Sequence, residues 1–177
     1  MQENTLELET PRLRIFPLSY PQLVNYLEND QSLETELALL AHPRSVSPAL
    51  KEAFEQTILP AVAVAGSNHV FSTLWTIVVK EQQMMAGDLC FKGAPNEKGE
   101  IEIGYGSHEL FRGKGIMTEA VGVLTEWAFR QPGVLAIVAE TDPENIASQR
   151  ILEKNGFQKT GTNDKYWCWK LEKHLTN

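Results

Sequence analysis

Residues 100–129 run Glu100-Ile-Glu-Ile-Gly-Tyr-Gly-Ser107, His108-Glu-Leu-Phe-Arg-Gly-Lys-Gly-Ile-Met117 and Thr118-Glu-Ala-Val-Gly-Val-Leu-Thr-Glu-Trp-Ala-Phe129. They read as strand, glycine-rich turn and helix. In the first part Glu100 and Glu102 alternate with Ile101 and Ile103, the period of a half-buried strand. Gly113 and Gly115 stand where the turn becomes the helix. Glycine carries no Cβ, so an anion can come close to the backbone there. The first N–H groups of a helix lack intrahelical partners and carry the positive end of its dipole. A phosphate or pyrophosphate is the natural guest at such a place. Arg112 and Lys114 add formal charge. Ile116, Met117, Ala120, Val121, Val123, Leu124, Trp127 and Ala128 form the apolar stripe of the helix.

Two common phosphate loops do not fit. Gly-Lys-Gly at 113–115 does not supply the G-x-x-x-x-G-K-[ST] of a P-loop. Neither Gly104-Tyr-Gly106 nor Gly113-Lys-Gly115 is followed by the third glycine of a dinucleotide fingerprint. Arg112-Gly-Lys-Gly-Ile-Met117 instead resembles the R/Q-x-x-G-x-G/A signature with which GNAT acetyltransferases hold the pyrophosphate of coenzyme A. Met117 replaces the final Gly or Ala, a wording familiar in the RimJ/RimL-like branch. Further on, Asn145-Ile-Ala-Ser-Gln-Arg-Ile-Leu-Glu-Lys-Asn-Gly-Phe157 resembles the N-x-x-[AS] helix that follows the second parallel strand in the same family. Glu9-Thr-Pro-Arg12-Leu resembles the opening strand of the RimJ/RimL-like proteins. Only residues 29–70 carry no family wording.

The resemblance implies an α/β (α+β) GNAT fold in one domain spanning 1–177. Its sheet would be mixed and mostly antiparallel, flanked by helices, with the fourth and fifth strands forming a splayed parallel pair. It implies acetyl-CoA as cosubstrate, no metal, and attack of an amine on the thioester. Backbone groups of Ile103, Gly104 and Tyr105 would pair with the pantetheine arm, and an N–H near Tyr105 would hold the oxyanion. Arg112, Gly113, Lys114, Gly115, Ile116 and Met117 would hold the pyrophosphate. The acceptor would be a protein N-terminal amine or a small amine, and a homodimer is common in such proteins. A non-catalytic acetyl-CoA sensor of the same fold is the alternative.

The residues themselves suggest roles. Only the neutral amine attacks, so a base must take a proton. Glu102, on the strand face opposite Ile101 and Ile103, is the candidate, with Glu100 as fallback; a solvated polar face is the plain alternative. Gly104 fits either close approach of a ligand or a β-bulge. Many family members place a tyrosine where this chain has Leu152. Ser148 lies one turn earlier, and the resemblance to RimL-like enzymes, which use a serine there, implies it as the candidate acid, unless its hydroxyl bonds back to a helix carbonyl. Asn145 fits a pantetheine contact, a helix cap or both.

Composition sets limits. The 177 residues carry a net charge of -7 and are 42% hydrophobic, which suits a globular domain and argues against a nucleic-acid partner. Cys90 and Cys168 lie outside any C-x-x-C and are expected to be reduced thiols of a cytoplasmic protein. The acidic opening Met-Gln-Glu-Asn is no signal peptide, and no apolar run is long enough for a membrane span. His42, His69, His108 and His174 lack metal-like spacing. Trp167 and Trp169 share a strand face and belong to the core or line a site.

Along the chain, strands are expected at 12–18, 70–80, 84–91, 100–107 and 134–141, with a hairpin at 157–171. Helices are expected at 19–28 behind Ser19, from Ser47 until Pro60 ends or bends it, after Gly115, and from Asp142 to about Asn155. Strand–helix–strand over 100–141 calls for a parallel pair with a right-handed crossover.

Overall fold

The computed structural model describes residues 6–174. Among them, eight strands form one sheet in the order β1-β2-β3-β4-β5-β6-β8-β7. These are β1 Leu8–Glu9, β2 Leu13–Pro17, β3 Leu74–Val79, β4 Met84–Phe91, β5 Glu100–Ser107, β6 Ala136–Thr141, β7 Gln158–Thr162 and β8 Trp167–Glu172. The helices are α1 Tyr20–Glu28, α2 Ser32–Glu36, α3 Pro48–Ala53, α4 Leu59–Ala65, α5 Ile116–Phe129 and α6 Ile146–Lys154. None of the described helices is long and apolar enough to cross a membrane.

Every strand pair is antiparallel except β5 with β6. Alternation in β5 decides which face each residue serves. Ile101 and Ile103 join Leu89, Phe91 and Trp75 under α5, whose Ala120, Val121 and Leu124 are fully buried. The other face packs Leu74, Val78 and Met85 beneath α1, α2 and α4 through Leu23, Tyr26, Leu33 and Val62, with Phe54 from the turn between α3 and α4. Glu100, Glu102, Gly104 and Gly106 belong to that second face.

The parallel ladder is short. It runs Glu100↔Ala136, Ile101↔Ile137 and Glu102↔Val138. Beyond it β5 stays with β4 and β6 stays with β8. The facing edges of residues 103–105 and 139–141 therefore have no ladder partner among the described residues, the splay expected of the fourth and fifth strands. The short β1 makes them fifth and sixth here.

Three local expectations need correction. The helix from Pro48 does not stop at Pro60. A π-helical turn, Phe54–Ile58, runs without a break into α4, and Pro60, in the first turn of α4, follows that widened turn, which accommodates a residue with no N–H. The strand expected from Val70 begins at Leu74, because Gly66–Phe71 forms a 3-10 turn. Val70 O accepts from Trp75 Nε1 at 2.8 Å, which fastens that turn to the strand. Asp142 caps no helix. Its Oδ1 accepts from Glu144 N at 2.8 Å in a local turn, and α6 starts behind Asn145. The short helix α2 lies in the stretch that carried no family wording.

Truncating the helix that covers the first core is expected to be costly. Leu124→Ala empties a fully buried site and is expected to lower stability by about 2–5 kcal/mol, read as a lower urea midpoint at unchanged slope.

Candidate active site

The end of β5 feeds the fork into the glycine turn. Gly113 and Gly115 have φ of 72° and 73°, a left-handed region that a side chain strains. Gly115 is the N-cap of α5 and offers no side chain to its first amides. The ends of α1, α3 and α6 are closed instead by Ser19, Ser47 and Asn145. The uncapped amides of α5 open onto a cleft of about 360 Å³ lined by Arg112, Gly113, Gly115, Ile116, Met117, Arg150 and Lys154, among others. Arg150 and Lys154 come from α6, so the cleft lies between the two helices. Its backbone donors, dipole and three cations suit a diphosphate. Arg150 and Lys154 were missed in sequence, although each is on the solvent side of an otherwise apolar helical pattern.

The loop is braced from the turn between β1 and β2. Arg12 Nε and Nη2 lie 2.7 and 2.6 Å from Glu119 Oε2 on α5. Arg12 Nη1 donates to Lys114 O at 3.1 Å, and Thr10 Oγ1 donates to Glu119 Oε1. Burial pushes the Glu119 carboxyl up, but the bonds from Thr10 and Arg12 outweigh it and hold the group below its ordinary value. Lys114 leaves the cleft: its Nζ sits 5.4 Å from the Phe111 ring centroid. Its backbone, not its charge, belongs to the loop.

Comparison with known proteins agrees with this geometry. Residues 12–158 match the family model described as "Acetyltransferase (GNAT) domain". The chain belongs to the GNAT acetyltransferase family. The N-acetyltransferase YjdG of Bacillus subtilis is 30% identical over 165 residues, which covers 92% of this chain and 95% of YjdG. Among solved structures, the ribosomal-protein-S5-alanine acetyltransferase of Vibrio fischeri superposes with a TM-score of 0.68 at 20% identity, over 94% of this chain and 96% of that one. RimL, a ribosomal L7/L12 alpha-N-protein acetyltransferase in complex with coenzyme A, superposes with a TM-score of 0.66 at 18% identity, over 94% and 98%. The fold is thus RimJ/RimL-like, and this GNAT chain is an N-acetyltransferase.

The remaining candidates of the acetyltransferase gather at the fork. Glu102 is the last residue of β5 still paired with β6, so it stands at the apex. It is ion-paired with Lys92. Glu100 is one strand repeat behind and lies 3.1 Å from Lys170 Nζ. That lysine holds the Glu100 carboxyl below its ordinary value. Leu152 is fully buried and has no group to donate. Ser148 does not spend its hydroxyl on the helix; Oγ lies 2.9 Å from Tyr105 Oη. Tyr105 Oη is also 3.1 Å from Ser148 O. Burial pushes the Tyr105 phenol up and the bond to Ser148 pulls it partly back. Asn145 Oδ1 accepts from Ser148 N at 3.1 Å, so it acts as the cap.

Trp169 is core: it is buried, and its Nε1 donates to Thr141 Oγ1 at 2.9 Å. Among the described residues no group of three or more His, Cys, Asp or Glu is arranged to hold a metal. His42 and His108 do meet, both against Met85 O at 2.6 and 3.1 Å. Both cysteines are free thiols.

Gly115→Ala forces a side chain into the left-handed region. It is expected to cost about 1–2 kcal/mol of stability and to abolish the thermal stabilisation that coenzyme A confers, both read by differential scanning fluorimetry.

Proposed function

We propose that the protein is an acetyl-CoA-dependent N-acetyltransferase acting on a primary amine by direct attack on the thioester. The observation that carries the proposal is the early end of the parallel ladder at Glu102↔Val138, with the cation-lined cleft next to it. The amides and carbonyls of Ile103, Gly104 and Tyr105 are offered to a pantetheine arm as a strand edge is offered to a peptide. The amides at Gly113 to Met117, with Arg112, Arg150 and Lys154, hold the diphosphate.

Glu102 takes the proton from the incoming ammonium, directly or through a water. The amine nitrogen then bonds to the acyl carbon, a backbone N–H near Tyr105 supports the oxyanion, and the carbon–sulfur bond breaks. Ser148 Oγ relays to the departing sulfur the proton that the nitrogen sheds as the amide forms, so coenzyme A leaves as the thiol, and Tyr105 Oη holds that serine at the fork. Asn145 fixes the start of the helix that carries it. The acceptor is a protein N-terminal amine, as the names of the structural neighbours state for those proteins, or a small amine. One domain and a cytoplasmic setting complete the proposal.

Release of coenzyme A thiol, measured with a panel of serine- and alanine-initiated peptides and small amines, tests the proposal. Turnover above the amine-free rate is expected; coenzyme A failing to raise the melting temperature would sink it. Glu102→Gln is expected to lower kcat by about a hundredfold or more and to remove the acid limb of the pH profile. An unaltered profile would take Glu102 out of the reaction. Ser148→Ala is expected to lower kcat by about tenfold or more with the KM for acetyl-CoA nearly unchanged. Tyr105→Phe should add little on that background, since the two hydroxyls act as a unit.

A further inference from the structure

The face of β5 turned away from α5 has a bare floor. Gly104 and Gly106 project there, and neither needs to be glycine for its backbone, because neither has a positive φ among the described residues. A Cβ at Gly104 would make an ordinary contact with Cys90 Sγ at 3.4 Å, and one at Gly106 would meet nothing within 4 Å. Gly106 is also exposed. Glycine is a poor strand residue, and one that neither conformation nor packing requires points to close approach by something else.

Asp88 is the residue directly opposite Gly106 in the β4–β5 ladder. Opposed side chains share a face, with Cβ positions about 4.5–5.5 Å apart. Asp88 is 13% exposed. Tyr26 Oη donates to its Oδ2 at 2.6 Å, and His108 Nε2 is 3.4 Å from the same oxygen. Asp88 Oδ1 and His108 Nε2 are buried without hydrogen-bond partners among the described residues. Burial and the neighbouring Asp88 charge push the Tyr26 phenol far up, so it remains a donor.

Three other carboxylates on this side have strong cations: Glu100 has Lys170, Glu102 has Lys92 and Glu34 has Arg44. Asp88 has a phenol and an imidazole but, among the described residues, no lysine or arginine. A largely buried carboxylate with an unfilled oxygen calls for a cation or a donor.

We infer that Asp88 and the glycine floor form a subsite for a second cationic group on the acceptor, making the acceptor a diamine or similar dication. The inference rests on the acetyltransferase reading above. With the reacting amine over Gly104 beside Glu102, a group facing Asp88 lies two strand residues further on, about 7 Å away. That span matches the two nitrogens of a short diamine. Asp88 binds and aligns the acceptor and takes no part in bond making.

The test compares 1,4-diaminobutane and 1,5-diaminopentane with n-butylamine and n-pentylamine as acceptors. Wild-type protein is expected to favour each diamine over its matched monoamine by about tenfold or more in kcat/KM. Asp88→Asn should erase that preference by raising the diamine KM, while leaving the KM for acetyl-CoA unchanged. Gly106→Val should cut turnover of both amine types while keeping a melting temperature at or above wild type and the full stabilisation by coenzyme A. Absence of a diamine preference in wild type, including absence of turnover with all four amines, would overturn the inference. So would a preference surviving in Asp88→Asn. Those results would leave the acetyltransferase reading standing if peptides are turned over and coenzyme A still stabilises the protein.

Discussion

Two parallel strands that must part company set the architecture of this protein. A parallel pair is held by slanted, slightly weaker bonds than an antiparallel one. Here each member also has a longer antiparallel partner on its far side, β4 for β5 and β8 for β6. Three residue pairs hold the two halves of the sheet together. Past Glu102 and Val138 each strand follows its own partner, and the opening that results is lined by unspent backbone groups. Unpaired backbone groups call for partners, which the proposed pantetheine arm would supply.

The fork would be of little use without a fixed anchor for the far end of a long ligand. Arg12 and Thr10, from the turn between β1 and β2 on the other side of β3 and β4, fasten Glu119 and the Lys114 carbonyl. This ties the glycine turn to the sheet while leaving the first amides of α5 uncapped. A loop held by contacts from outside it can remain open to a ligand. A helix capped by its own side chain, as α6 is by Asn145, cannot offer the same amides. The two helix starts sit side by side, one open to an anion and the other, which carries Ser148, closed by its own cap.

The two faces of β5 divide the labour. Ile101 and Ile103 anchor the strand in the larger core, and Tyr105 on that same face crosses the fork to Ser148. On the opposite face a carboxylate at the apex is followed by two glycines. Strand alternation alone keeps these functions apart.

Much of this was legible in the chain itself. The strand at Glu100–Ser107, the stripe of α5, the turn glycines and the motif around Asn145 are local patterns, and local patterns survive folding when every level agrees. They were enough to indicate the family and the fold, and they supply the residues proposed for its site. Asp142 and Pro143 imitate a helix start, and the π turn at Phe54–Ile58 leaves no mark in the sequence, so those boundaries needed the structure. Tertiary structure alone decided which distant residues meet. It brought Arg150 and Lys154 to the glycine turn, took Lys114 out of the cleft, and joined Tyr105 to Ser148. Among the described residues it also left Asp88 facing a glycine with an imidazole but no lysine or arginine beside it, because charge pairing depends on distances between strands and helices far apart in sequence.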